Sequence, residues 1–125
     1  MSYKILIVDD SKLARMSVNK ALNSLHPDWT RLEAGSADEA VKLMQQAPQF
    51  ALLDFNMPGR DGLDLAAELR RSSPALRVAV VSANHQQNIV DRARAMGATF
   101  LPKPLTEDAL GKFLQAALAE IETRE

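Results

Sequence analysis

Short apolar runs recur along the 125-residue chain, and longer segments with helical spacing of apolar positions separate them. The clearest runs span residues 3–8, 50–53 and 78–81, with a shorter one at residues 99–101. Residues 29–34 are a weaker strand candidate because charged side chains alternate with the others. Runs that are apolar at consecutive positions predict strands that are covered on both faces of a sheet.

Five further segments repeat apolar side chains at the three- and four-residue spacing of a helix. They span residues 14–25, 37–44, 65–69, 89–96 and 110–121. Their ends carry capping residues: Ser36 and Glu39 have the spacing of a capping box, Gly97 suits a left-handed helix end, and Thr106 precedes an acidic first turn. Strands and helices therefore alternate five times, which predicts an α/β fold of (βα)5 type with a parallel sheet and right-handed crossovers.

Composition narrows the classes of function. The chain is 46% hydrophobic and 25% charged, and 15 basic side chains nearly cancel 16 acidic ones, which favours neither nucleic acid nor a membrane surface as a direct partner. The absence of cysteine excludes disulfides, thiolate catalysis and iron–sulfur clusters. No apolar run is long enough to span a bilayer, and the amino terminus lacks signal-peptide character, so we expect a cytoplasmic protein.

Polar residues stand where the predicted strands end. Asp9 and Asp10 follow the first strand, Asp54 ends the third, Ser82 ends the fourth, and Lys103 follows the fifth. Any one of them alone would most simply be a turn, cap or surface residue. Because the carboxyl ends of parallel strands meet at one edge of a sheet, we expect these five side chains to lie close together.

Three neighbouring carboxylates oppose joint ionisation unless a cation compensates them. Mg²⁺ is the natural cation, since it binds carboxylate oxygens while keeping positions for water and phosphate. A lysine beside such a site can neutralise phosphate oxygens, and an aspartate can itself be the nucleophile that forms an aspartyl phosphate. The pattern therefore indicates phosphoryl transfer with Mg²⁺ as cofactor.

The segments that carry these residues match a known family. Residues 5–10, 53–62 and 80–83 and the pair Lys103-Pro104 resemble the motifs of the receiver domain of two-component response regulators, in the same order and spacing. The stand-alone chemotaxis members of that family are similar in length. The resemblance implies a flavodoxin-like, doubly wound sheet with strand order 2-1-3-4-5. It also implies that residues 1–125 form a single receiver domain.

The resemblance assigns the cation and acceptor roles. Asp54 would accept a phosphoryl group from a phosphohistidine of a sensor histidine kinase or phosphotransfer protein. Asp10, Asp54 and the backbone carbonyl of Asn56 would ligate Mg²⁺, and Asp9 would hold a metal-bound water or contribute directly. Catalysis would be limited to the domain's own phosphotransfer and autodephosphorylation, so the protein would be a regulator rather than an enzyme.

The resemblance also assigns a switch. Lys103 and the Ser82 hydroxyl would bind phosphoryl oxygens, and Phe100 would turn inward when Ser82 moves. The surface of the fourth helix, fifth strand and fifth helix would then control a downstream protein or a C-terminal output domain. Pro102 departs from the family pattern, but an edge strand tolerates the missing donor. Phe100 replaces the commoner tyrosine and lacks its hydroxyl.

Three other interpretations fit parts of the pattern. A haloacid-dehalogenase-like phosphatase also uses an aspartate and Mg²⁺, but it needs an Asp-x-Asp motif where this chain has adjacent Asp9 and Asp10. An FMN carrier of flavodoxin type would need a hydroxyl-rich phosphate loop in place of these carboxylates. A receiver-like module that only binds proteins would not need the full acidic set. His26 and His85 are expected to be surface residues without a metal or phosphoryl role.

Overall fold

Strands and helices alternate in the computed structural model, which describes residues 2–84 and 86–124. The strands are β1 (Lys4–Val8), β2 (Thr30–Ala34), β3 (Phe50–Asp54), β4 (Arg77–Ser82) and β5 (Thr99–Pro102). The helices are α1 (Lys12–Leu25), α2 (Ala37–Leu43), α3 (Gly62–Ser72), α4 (Gln87–Ala95) and α5 (Glu107–Arg124). The prediction of five strand–helix units is confirmed, and His85 lies outside the described residues.

The five strands form one parallel sheet in the order β2-β1-β3-β4-β5. This order confirms the doubly wound topology that the family resemblance implies. Because the chain moves from β1 outward to β2 and then back across to β3, the switch point of the topology lies between β1 and β3. The carboxyl ends of β1, β3, β4 and β5 therefore share one edge, where the predicted polar residues stand.

Apolar side chains cover both faces of the sheet, as the continuous apolar runs predict. The central strand β3 is buried at all of its positions. One core layer lies under α2, α3 and α4, and its largest fully buried side chains include Leu6, Leu53 and Leu69. The other lies under α1 and α5, and Ile5, Phe50 and Leu114 are among its fully buried members. The residues at the ends of these strands are thus held in place by a sheet that is packed with apolar side chains on both faces.

Helix ends follow the predicted chemistry with one difference. The Ser36 hydroxyl accepts a hydrogen bond from the Glu39 amide of α2 at 3.2 Å, as in a capping box. The Glu39 carboxylate, however, accepts a hydrogen bond from the Gly35 amide at 3.4 Å rather than from the amide of Ser36, its partner in the standard motif. Gly97 has a φ of +77°, the left-handed conformation predicted at the end of α4. Helix α2 ends at Leu43, before the predicted end of its stripe, and continues as a short 3₁₀ turn because Pro48 follows shortly after.

An aromatic cluster occupies the opposite, amino-terminal edge of the sheet. Trp29 stacks on His26 with 4.0 Å between ring centroids and on Phe50 with 4.8 Å, and Tyr3 meets it edge-on. The sequence pattern predicts Trp29 as the first residue of the second strand; it is buried but lies just before β2, so this boundary was wrong by one residue. Within the described ranges, no helix combines the length and hydropathy needed to span a bilayer.

Candidate functional site

The predicted site residues meet at the carboxyl edge of the sheet. Asp9 and Asp10 follow β1, Asp54 is the last residue of β3, Ser82 is the last residue of β4, and Lys103 follows β5. Each strand is fixed by its neighbours up to its final residue, so the side chains that follow start from defined backbone positions. The sheet brings together the residues that the sequence pattern predicts to converge.

Asp9, Asp10 and Asp54 form an acidic cluster. One carboxylate oxygen from each of them lies within 4.8 Å of the other two. Asp54 is buried, Asp9 is half-buried and Asp10 is exposed, so the cluster opens from the sheet toward solvent. Hard carboxylate oxygens in a partly open arrangement are the donor set that Mg²⁺ binds while keeping water or phosphate ligands. The residues present therefore fit the cation that the family implies.

Asp54 and Lys103 form the ion pair at the centre of the site. The Lys103 ammonium donates to Asp54 Oδ1 at 2.8 Å, and the Asn56 amide donates to the same oxygen at 3.3 Å. The Asp54 side chain is 4% exposed and that of Lys103 is 34% exposed. Both hydrogen bonds fall on Oδ1, so the second carboxylate oxygen remains for a cation or an electrophile. The lysine ammonium is thus held against one side of the Asp54 carboxylate.

Ser82 connects β4 to the segment that carries Lys103. Its side chain is fully buried, and its hydroxyl oxygen accepts the Asn84 amide at 2.9 Å. Its carbonyl accepts the Lys103 amide at 3.0 Å, which fixes the lysine backbone against β4. Pro102 pairs with Ser82 at the end of β5, an edge strand of the sheet as predicted, so its missing N–H does not interrupt the anchoring of Lys103. The Lys103-Pro104 peptide is cis.

Phe100 lies on β5 with its side chain half-buried. It packs against the core layer under α2, α3 and α4, and it pairs with Val80 of β4 in the sheet. Its role as a switch residue stays a prediction.

The loop from β3 to α3 is held tightly behind Asp54. The Gly62 amide donates to the Phe55 carbonyl at 2.9 Å. A Cβ added at Gly62 would lie 2.6 Å from the Asp54 carbonyl oxygen and 2.9 Å from the Phe55 Cα, closer than real atoms approach. The sequence pattern shows Gly62 only as a turn residue; its close approach to the Asp54 backbone depends on how the loop folds back.

Arg15 is a site-adjacent residue that the sequence pattern does not single out. It lies on α1, where a charged residue off the apolar stripe is normally solvent-exposed. Its guanidinium instead donates to the Asp9 carbonyl oxygen at 2.5 Å and pairs with Glu33 of β2 at 3.1 Å. Its position shortly after Asp9 and Asp10, within reach of the end of β1, is the one signal that could have indicated this contact.

The electrostatics of the cluster act most clearly on Asp9. Its pKa is raised above the ordinary value, chiefly because burial disfavours the charged carboxylate, with further raising from the charges of Asp54 and Asp10. The hydrogen bond from the Ser11 amide and the Lys103 charge act in the opposite direction. Burial and neighbouring negative charge thus both disfavour the ionised form of Asp9.

Replacing Asp9 with asparagine should raise the free energy of unfolding of the cation-free chain at pH 7. The pKa of Asp9 is higher in the folded chain than in the unfolded chain. Its contribution to the free energy of unfolding is therefore complete below the unfolded-state pKa, near 3.8, and is lost as the pH rises through the folded-state pKa. Asparagine avoids that loss, so the advantage of the variant should shrink as the pH is lowered from 7. Urea unfolding followed by circular dichroism in EDTA at several pH values measures this. A variant less stable than the parent at pH 7 would contradict the assignment.

A cleft of about 490 Å³ opens beside Asp54 on the α1 side of the sheet. Small side chains of α1, Ala14, Ser17 and Ala21, line one wall, and Leu105 lines the other. Asp54 and Lys103 also border this space, so the Asp54 carboxylate can be approached from this side.

Comparison with known proteins agrees with this geometry. The family description "response regulator receiver domain" matches residues 5–115. The nitrate/nitrite response regulator protein NarL of Escherichia coli (strain K12) is 36% identical over 121 residues, which cover 94% of this chain and 56% of that protein. This chain thus spans about half the length of that relative.

Two further matches are similar over nearly their whole lengths. The probable chemotaxis protein CheY of Rhizobium etli is 29% identical over 122 residues, which cover 94% of each chain. The solved signal receiver domain of NarL from Mycobacterium tuberculosis has a TM-score of 0.79 and 35% identity, with 93% of this chain and 96% of that one covered. The chain belongs to the receiver domain family of two-component response regulators.

Proposed function

We propose that this chain is a phospho-acceptor signalling switch in which Asp54 receives a phosphoryl group from a phosphohistidine. The donor would be a sensor histidine kinase or a phosphotransfer protein. The observation that carries the proposal is the buried Asp54 carboxylate, 2.8 Å from the Lys103 ammonium and clustered with two other carboxylates. A structural ion pair would need neither the second and third acidic residues nor an open side.

Asp9, Asp10, Asp54 and the backbone carbonyl of Asn56 would hold Mg²⁺. The first three supply the clustered oxygens described above, and Asn56 stands two residues after the acceptor with its amide on Asp54. When bound, Mg²⁺ neutralises charge on the phosphoryl oxygens and on the acidic cluster. The chain's own residues supply the nucleophile, the lysine and the backbone that orients them.

The transfer step is a displacement at phosphorus. An Asp54 carboxylate oxygen forms the new P–O bond, the P–N bond of phosphohistidine breaks, and its electron pair returns to the imidazole, which takes a proton from solvent. Lys103 moves its hydrogen bond from the carboxylate to a phosphoryl oxygen, a short shift because the ammonium is already in contact with Asp54. The buried wall of β3 and β4 behind the site keeps the carboxylate in one orientation.

The switch step follows from the surroundings of Ser82. Its hydroxyl oxygen accepts the Asn84 amide, and the O–H proton would still be available for a phosphoryl oxygen once Ser82 and the segment between β4 and α4 move toward Asp54. Phe100 would turn toward the space that this movement opens. The surface formed by α4, β5 and α5 would then change, and a downstream protein or a C-terminal output domain would bind one state better, as a population shift requires. In this proposal residues 1–125 act as one receiver domain.

Labelling with a small phosphodonor tests the proposed function. The chain is incubated with radiolabelled acetyl phosphate and Mg²⁺. Because an acyl phosphate is labile, the label should survive only briefly on an acidic gel and should be removed by hydroxylamine. EDTA should reduce the labelling rate by roughly a hundredfold, since the charges that oppose transfer are then uncompensated. Absent labelling, or label that resists hydroxylamine, would instead favour a receiver-like module that only binds proteins.

A further inference from the structure

Arg15 of α1 contacts both the acidic loop after β1 and the neighbouring strand β2. Its Nη1 donates to the Asp9 carbonyl oxygen at 2.5 Å, and its Nε donates to Glu33 Oε1 of β2 at 3.1 Å. The side chain is only 17% exposed although it lies on α1, so the guanidinium is held under the loop rather than in solvent. A guanidinium presents its donors in a rigid fork, and the two bonds therefore fix its orientation as well as its position.

The contact acts on the peptide that separates Asp9 from Asp10. The Asp9 amide donates to the Ala34 carbonyl at 3.0 Å, and the Asp9 carboxylate accepts the Ser11 amide at 2.9 Å. Arg15 binds the remaining polar group of this residue, its carbonyl oxygen. Because the Asp9 carbonyl belongs to the peptide plane that leads into Asp10, the direction of the exposed Asp10 side chain depends on that plane.

We propose that Arg15 is a positioning residue for the cation site, and that Glu33 holds it in place. This inference rests on the proposed function, because it concerns the same cation. Arg15 fixes the Asp9–Asp10 peptide so that both carboxylates face Asp54 without an ordering cost when the cation binds. The Glu33 carboxylate offsets the guanidinium charge, so a positive group can stand beside a cation site.

Charge and geometry predict opposite effects at this position, which makes the proposal testable. If Arg15 acted only through its charge, removing it would relieve repulsion and tighten Mg²⁺ binding. If Arg15 positions the carboxylates, removing it weakens binding although a repulsive charge has gone. Arg15→Lys keeps the charge but loses the fork, so a charge-only role predicts no change in affinity, and positioning predicts weaker binding.

The experiment is calorimetric titration of Mg²⁺ into the full chain at fixed pH and ionic strength. We expect Kd to rise about tenfold in Arg15→Gln and in Arg15→Lys, the size of effect seen when groups that orient metal ligands are removed. Lys12→Gln is the matched control, since it removes the same charge from an exposed position on α1; its Kd should stay within about twofold of the parent value. In the labelling reaction, both Arg15 variants should need more Mg²⁺ but reach a plateau rate close to that of the parent.

Unfolding curves separate positioning from misfolding. Circular dichroism in urea shows whether each variant is folded under the titration conditions, and Arg15→Lys carries the test if Arg15→Gln is not. Mg²⁺ binding by Arg15→Lys and Arg15→Gln that is as tight as in the parent overturns the positioning role while leaving the proposed function intact. Failure of the parent itself to bind Mg²⁺ overturns the proposed function at its cation step.

Discussion

Replacing Asp54 with asparagine should abolish acyl-phosphate formation, with a loss of labelling of roughly a thousandfold or more. The neutral amide lacks the nucleophilic carboxylate oxygen that would attack phosphorus. Within the cluster, no other carboxylate is both buried and paired with Lys103. The measurement is hydroxylamine-sensitive label after incubation with acetyl phosphate and Mg²⁺, together with mass spectrometry of the labelled peptide.

The design of this substitution isolates chemistry from folding. The asparagine side-chain oxygen can still accept the Lys103 ammonium, so the fold around β3 should persist. Asp28→Asn is the matched control, because Asp28 is an exposed carboxylate at the opposite edge of the sheet and its loss should leave labelling unchanged. Equal labelling of Asp54→Asn and the parent would show that the acceptor is a different residue.

Replacing Lys103 with methionine should slow labelling by about a hundredfold at saturating Mg²⁺. Methionine keeps an apolar stem of similar length but removes the ammonium that stands 2.8 Å from Asp54. Without a cation, the free energy of unfolding of the variant should fall by on the order of 2 kcal/mol, because the nearly buried Asp54 carboxylate then lacks its counter-charge. This loss is smaller than for a fully buried ion pair, since Lys103 is partly exposed. Urea unfolding in EDTA measures the second effect.

Mg²⁺ and a second variant sharpen the interpretation of this result. Added Mg²⁺ should restore much of the lost stability, since it supplies positive charge to the same carboxylates. Lys103→Arg keeps the positive charge but spreads it over a larger, planar guanidinium. This variant should retain most of the parental free energy of unfolding and lose part of the labelling rate. Parental labelling and stability in Lys103→Met would contradict a role for this ion pair in transfer.

The fold was predictable because its signals are local. Strands covered on both faces read as continuous apolar runs, and their alternation with amphipathic helices leaves a parallel sheet as the simple solution. Convergence of Asp9, Asp54, Ser82 and Lys103 follows from that sheet, since parallel strands end at one edge. The strand order β2-β1-β3-β4-β5 needed the family resemblance, because periodicity does not say which strands are neighbours.

The features that escaped prediction depend on how the backbone turns between neighbouring elements, which the pattern of residue types does not specify. Arg15 has the spacing of a surface residue, and only the folded β1–α1 segment brings the Asp9 carbonyl within its reach. Gly62 resembles any turn glycine until α3 is packed against the Asp54 backbone. The Glu39 carboxylate reaches Gly35 because the backbone before α2, not the motif, decides which amide is accessible.

The aromatic cluster at the amino-terminal edge has a practical consequence for spectroscopy. Trp29 is the single tryptophan of the chain, and it stands at the end of the sheet opposite Asp54, a separation of roughly 13 Å or more at the rise of a five-residue strand. Its emission should therefore follow loss of the buried stack with Phe50 and remain silent when the acidic edge fills with a cation. One sample then yields two independent signals, fluorescence for unfolding and heat for ligand uptake.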